Sequence, residues 1–185
     1  MSAARPTSIT SVGHGTLPAD DFAELLAGAG VERLIDIRRY PGSRRFPWFG
    51  EVQMSHWLPD AGVEYLRIEA LGGRRRPSED SPNTAWRTAQ FAAYADHMAT
   101  EEFATGVRTL LEHAGRPAAV MCSESLWWRC HRRLLSDHLV LIEGIAVQHL
   151  FHDGRLAEHV PLAEAVVVDG HVEYPSRSPQ LPWPS

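Results

Sequence analysis

The chain has 185 residues, of which 44% are hydrophobic and 22% charged, the proportions of a soluble globular protein rather than a disordered one. That length suits one domain with a core covered on two sides, and no apolar run reaches the roughly 18–20 residues of a membrane helix. The N-terminus, MSAARPTSITS, lacks the apolar segment of a signal peptide, so the expected address is cytoplasmic, with both cysteines reduced.

Net charge is −5, which argues against a surface that coats nucleic acid. All eighteen basic residues are Arg and none is Lys. That excludes a Schiff-base lysine, a pyridoxal-phosphate lysine and a phosphate-loop lysine together. Ten of the eighteen fall in four clusters: Arg38-Arg39, Arg44-Arg45, Arg74-Arg75-Arg76, and Arg129 with Arg132-Arg133. Clustered Arg on an acidic chain suggests a local anion site, because the guanidinium fork matches phosphate and carboxylate oxygens.

Ser8 to Val12 is a β-prone run that stops at the turn signal Gly13-His14-Gly15. An amphipathic helix opens at Pro18, with Phe22, Leu25, Leu26 and Ala29 at helical spacing and Gly30 as its stop. Val31 to Ile37 reads as a second strand, followed by the loop PGSRRFPWFG and a short helix over 52–58. Val63 to Ile68 is a third strand, leading into Leu71-Gly72-Gly73 and a polar loop from Arg74 to Thr84. Two helices are expected over 85–98 and 100–113. Ala118 to Met121 is an apolar strand that runs into Cys122. Residues 128–142 read as a helix with Leu134, Leu135, His138, Leu139 and Ile142 as its buried stripe. Ala146 to Leu150 is a further strand, and 155–160 with 166–174 are expected to pair as a hairpin around Asp169-Gly170. The Pro-rich segment 176–185 is expected to be a flexible tail.

Strands alternating with helices imply right-handed crossovers and a mostly parallel sheet flanked by helices. The expected fold is therefore a single three-layer, Rossmann-like α/β domain over residues 1–175, with a C-terminal β-hairpin. In such folds ligands bind outside the carboxyl ends of the strands. His14 follows the first strand, Asp36 and Arg38 end the second, and Gly72-Gly73 with Arg74 follow the third. Cys122 and Glu124 follow the fourth, so four strand ends carry reactive or anion-binding groups along one edge.

The pieces SVGHG (11–15), LIDIRRYPGSRR (34–45), GVEYLRIEALGGRR (62–75), MCSESLWWRCHR (121–132) and VQHL (147–150) have a joint order and spacing. In these the chain resembles the bacterial domain-of-unknown-function 488 family over roughly residues 8–152. The resemblance implies a compact α/β domain with a shared polar site, and it brings no activity with it.

Both cysteines lie in MCSESLWWRCHRR (121–133), where neither Cys-x-x-Cys nor His-x-x-x-His spacing occurs, so no metal site is expected. Cys122 reads either as a nucleophile whose thiolate the following helix favours, or as a small buried hydrophobe. A cysteine-phosphatase loop would place Arg six residues after the Cys, and that position is Trp128. Cys122 and Cys130 lie eight positions apart, wider than the usual reactive pair. Cys130, His131 and Arg132 are expected in the first turns of a helix, where free amides and the dipole favour an anion. Glu124 would accept a hydrogen bond from one of them or act as general base.

His14 or His131 is the expected general acid/base. Arg38, Arg44, Arg74 and Arg132 would bind the anion, and Asp36 would orient an Arg or a substrate hydroxyl. With no Walker motif and no G-x-G-x-x-G, neither NTP hydrolysis nor a cofactor is expected. The expected function is a hydrolase or transferase acting on a small phosphorylated or nucleotide-like substrate. The alternative is a nucleic-acid or nucleotide-binding module in which Trp48, Phe49, Trp127 and Trp128 stack on bases. A small anionic substrate is the favoured partner, no membrane is involved, and the oligomeric state is open. On this reading Arg38→Ala or Arg132→Ala keeps the fold and loses the ligand.

Overall fold

Residues 5–42 and 44–176 are described in a computed structural model. Five strands run parallel: Ser8–Gly13 (β1), Arg33–Asp36 (β2), Glu64–Arg67 (β3), Ala118–Cys122 (β4) and Ala146–Leu150 (β5). Leu156–Glu158 (β6) lies antiparallel to β5 at the edge, giving the order β3-β2-β4-β1-β5-β6. β4 is buried at all five positions, as an unbroken apolar strand must be when both faces of a parallel sheet are covered.

Two helices, Ala19–Gly28 (α1) and Glu51–Asp60 (α2), cover one face. There Phe22, Leu26, Met54 and Leu58 pack with Val12, Leu34, Ala119 and Met121. Ala89–Met98 (α3), Glu101–His113 (α4) and Arg132–Leu141 (α5) cover the other. Their Tyr94, Phe103, Leu110, Leu134 and Leu139 pack with Ile9, Ile35, Val120 and Val147. Alternation along β4 produces both cores at once, Ala119 and Met121 facing one and Val120 and Cys122 the other.

This two-sided arrangement positions the site. β1 and β4 are neighbours, in the register Gly13↔Cys122. β1 passes the chain to α1 on one face, whereas β4 passes it to α5 on the opposite face. Adjacent strands whose connections part in this way leave a crevice at their carboxyl ends.

Three boundaries differ from the sequence expectation. α3 begins at Ala89 rather than near 85, because the preceding backbone is engaged by the C-terminal segment: Ala85 N donates to Tyr174 O (2.9 Å) and Tyr174 N to Asn83 Oδ1 (2.9 Å). α5 begins at Arg132 rather than 128. A 3-10 turn occupies Trp127–Arg129, and Cys130 follows in an extended conformation (φ −126°, ψ 152°) that turns its thiol into the core. The hairpin at Asp169-Gly170 forms from Val166–Val168 (β7) and His171–Glu173 (β8), with positive φ at both turn residues as a tight hairpin requires. Segment 155–160 takes no part in it, since β6 instead extends the main sheet. The expected tail lies outside the described residues from 177 onward. Among the described residues no helix is long and apolar enough to cross a membrane.

Candidate functional site

Beyond the strand ends the β1–β4 ladder continues into the loops, as His14 N donates to Cys122 O (3.1 Å) and Gly15 N to Ser123 O (2.9 Å). A Cβ added at Gly13 would lie 1.8 Å from the Glu124 carbonyl oxygen, so only glycine lets the 123–125 loop close over β1. Arg132 locks that closure from inside α5. Its guanidinium, 1% exposed, donates to Ser11 Oγ (3.1 Å) and to the Glu124 carbonyl.

On the other flank Asp36 and Arg38 form a buried bidentate pair, Nε to Oδ1 at 2.9 Å and Nη2 to Oδ2 at 2.6 Å. Arg38 Nη2 also donates to Phe49 O (2.8 Å), and Tyr65 OH to Asp36 Oδ2 (2.7 Å). Burial and the Asp36 charge accordingly hold the Tyr65 phenol far above its ordinary range. His14 stacks on Phe49 with ring centroids 4.0 Å apart. Its Nδ1 donates to Gly15 O (2.9 Å), which leaves Nε2 to accept from Arg38 Nη1 (3.2 Å). Burial, then the Arg38 charge, bring His14 down to about 4, so the imidazole is neutral at pH 7 and its lone pair is already occupied.

These walls enclose a cavity of about 630 Å³ at the carboxyl ends of β1, β2 and β4. Six of the nine residues expected from the sequence line it: His14, Arg38, Arg74, Cys122, Glu124 and His131. Asp36 and Arg132 lie behind the lining, fully enclosed, and act on the cavity through Arg38 and the 123–125 loop. Arg44 is exposed and outside it. Arg39, Arg129 and Cys130 line the cavity without having been singled out as site residues. Arg39 could have been read from its place beside Arg38, whereas Arg129 and Cys130 come in only because the 3-10 turn folds the chain back. Glu124 reaches Arg132 through its main-chain carbonyl, and its carboxylate has no partner among the described residues.

The thiols of Cys122 and Cys130 meet at the cavity wall beside His131 Nδ1, at 3.9 and 3.7 Å. The neighbouring Cys130 thiol and burial raise Cys122; Cys130, which burial alone would raise, is lowered by the Cys122 thiol and by the Arg132 charge.

The aromatic residues are mostly committed elsewhere. Phe49 is fully buried, Trp48 Nε1 donates to Leu17 O (3.0 Å), and Trp127 stacks flat on His149 with centroids 4.0 Å apart. Trp128 alone of the four is exposed, at 41%. His149 begins a buried chain that the sequence did not reveal. Its Nε2 meets His159 Nδ1 (2.9 Å), His159 Nε2 meets Asp137 Oδ1 (2.8 Å), and Tyr174 OH donates to Asp137 Oδ2 (2.8 Å).

Fold and site together define an α/β domain with an arginine-lined pocket at the point where a parallel sheet sends its connections to opposite faces. Residues 18–139 match the family model described as Domain of unknown function DUF488, and the chain belongs to that family. The matched span is narrower than 8–152: His14 and the 147–150 strand lie outside it, and Arg38, Arg74 and both cysteines lie inside. Comparison with curated proteins and with solved structures returned no match.

Proposed function

We propose that this pocket binds a small phosphorylated or nucleotide-like anion and acts on it as a hydrolase or transferase. The observation that carries the reading is the charge of the lining, in which Arg38, Arg39, Arg74 and Arg129 face one carboxylate, Glu124. A volume of about 630 Å³ is the size of a ligand pocket for a small molecule. The guanidinium groups of Arg74 and Arg129 have no acceptor among the described residues and are free to take up phosphate oxygens. Arg38 is saturated by Asp36 and Phe49 O, so its part is to fix His14 and the floor. Glu124 is the group available as general base, because the His14 lone pair is engaged by Arg38. The packing of Trp48, Phe49 and Trp127 supports a small substrate over a stacked nucleic-acid strand.

Calorimetric titration with inorganic phosphate and with a nucleoside monophosphate tests this. Arg74→Ala and Arg129→Ala are each expected to weaken binding about tenfold, the worth of one charge-assisted hydrogen bond, while thermal unfolding stays as in the wild type. Salt should weaken binding mildly, in contrast to the steep loss that a polyanion shows. A wild-type protein that takes up neither ligand, or variants that bind as it does, would sink the reading.

A further inference from the structure

We infer that Cys122 Sγ, Cys130 Sγ and His131 Nδ1 form a three-ligand site for a divalent zinc-type metal ion, with its fourth position open to the arginine-lined pocket. The three donor atoms lie within 4.8 Å of one another, and Nδ1 is 3.9 Å from one sulfur and 3.7 Å from the other. A tetrahedral zinc ion with sulfur at about 2.3 Å and nitrogen at about 2.0–2.1 Å sets sulfur–nitrogen separations of about 3.5 Å. The two sulfur–nitrogen distances therefore need to contract by only a few tenths of an ångström, and the two sulfurs, which lie within 4.8 Å, need to close toward the roughly 3.8 Å that two zinc–sulfur bonds of about 2.3 Å set.

The donors sit on rigid supports. Cys122 ends the central strand β4, and Cys130 is held by the extended backbone between the 3-10 turn and α5. His131 is wedged between Gly73, where a Cβ would come within 2.8 Å of Nδ1, and the Tyr94 ring at 4.8 Å. Tyr94 is itself anchored, its hydroxyl donating to Leu71 O (2.8 Å). The protein does little to satisfy this imidazole: Nδ1 has only the two sulfurs, and Nε2 is buried with no hydrogen-bond partner among the described residues. Thiols are weak hydrogen-bond partners for a buried imidazole nitrogen, and a metal ion on Nδ1 would replace those contacts with a coordinate bond.

On binding, the two thiols release their protons to solvent as the metal–sulfur bonds form, and neutral His131 gives the Nδ1 lone pair while its proton stays on Nε2. Two thiolates balance the charge of a divalent ion, so the filled site opposes neither the surrounding arginines nor an anion at the open position. All three ligand residues line the cavity. Three protein ligands with a vacant fourth position are the arrangement of catalytic rather than structural zinc. The metal would polarise a bound phosphoryl oxygen or activate a water. That role rests on the pocket reading above, whereas metal capture itself does not. The sequence concealed the site because seven residues separate Cys122 from Cys130, and only the folded-back turn brings them together.

The test uses full-length, metal-stripped protein whose two thiols are first shown to be reduced by thiol titration. Zinc is expected to bind at one ion per chain, and cobalt(II) to give thiolate-to-metal charge-transfer absorption with the visible bands of a tetrahedral ion. Cys122→Ser and Cys130→Ser should each lower zinc affinity about a hundredfold or more, with unchanged circular dichroism. Should either serine variant fail to fold, His131→Gln gives the same comparison from a side chain at the cavity wall. The inference is overturned if reduced wild-type protein takes up neither ion, if cobalt binds without thiolate bands, or if the variants bind as the wild type does. A Cys122–Cys130 disulfide forming in a protein that takes no metal when reduced also overturns it, in favour of a redox pair. Phosphate titration of the metal-stripped protein and of Arg74→Ala reports on the pocket separately, so either reading can fail without the other.

Discussion

Arg38→Ala is expected to lose about 3–5 kcal/mol of folding stability, because it leaves the Asp36 carboxylate buried without its counter-ion. Asp36 is 0% exposed and Arg38 6%, so water cannot replace the lost partner. The backbone N–H of Arg38 and the Tyr65 hydroxyl still donate to Asp36, at 3.0 and 2.7 Å, but both are neutral. The same truncation frees the Phe49 carbonyl and the His14 Nε2, which adds unsatisfied acceptors. This reverses the expectation from sequence that Arg38→Ala would keep its fold and lose only a ligand. Arg132→Ala is reversed for the same reason, since it unties the 123–125 loop from β1. Urea unfolding followed by far-ultraviolet circular dichroism measures the effect. The double variant Asp36→Asn with Arg38→Met should be less destabilised than the two single changes summed, because no charge is then left unpaired. A loss below about 0.5 kcal/mol for Arg38→Ala, the range of ordinary surface changes, would contradict the burial argument.

How far such details could be read from sequence depended on the range over which each is decided. β4 declared itself through an unbroken apolar run, and the Gly13-His14-Gly15 turn through residue types that stop a strand. Pocket residues that directly follow strands were legible for the same reason, since parallel strands deliver their carboxyl ends to one edge. Sheet order was not, because placing β4 between β2 and β1 depends on which face each crossover takes. Nor was the burial of Arg38 and Arg132, as Arg is ordinarily a surface residue. The Asp36 partner two residues upstream was a visible hint, but Ser11, 121 positions from Arg132, was not. The start of α3 is set by Tyr174, some 90 residues away, and no local propensity could report it. The cysteines were discounted on spacing, and spacing along the chain is a poor measure where a 3-10 turn doubles it back. His149, His159, Asp137 and Tyr174 come from four separate segments, so their chain of hydrogen bonds exists only in the fold.

That buried chain gives the second large expected effect. Stability is expected to fall by about 4 kcal/mol between pH 7 and pH 5, with His149 and His14 each contributing about half. Burial, the facing His159 and the Arg132 charge hold His149 down at about 3. Burial and Arg38 hold His14 at about 4. Both are nearly solvent-free, at 1% and 3% exposure, so screening by water does not erase the shifts. In the unfolded chain each imidazole takes a proton from about pH 6.5 downward, while the folded protein refuses it until far lower. The contribution is therefore whole above pH 6.5 and is lost progressively as pH falls toward 4 and then 3. Between those limits the slope approaches about 1.4 kcal/mol per pH unit for each histidine. His97 and His138, both also lowered by burial, steepen it in the same sense. Urea unfolding at pH 7, 6 and 5 reads the slope directly. His149→Phe keeps an aromatic face for Trp127 and removes the proton acceptor. It should start less stable at pH 7, because His159 loses a partner, yet lose stability less steeply by about one histidine's share. A flat profile from pH 7 to 5, or an undiminished slope in His149→Phe, would show that the acid sensitivity does not originate in these buried imidazoles.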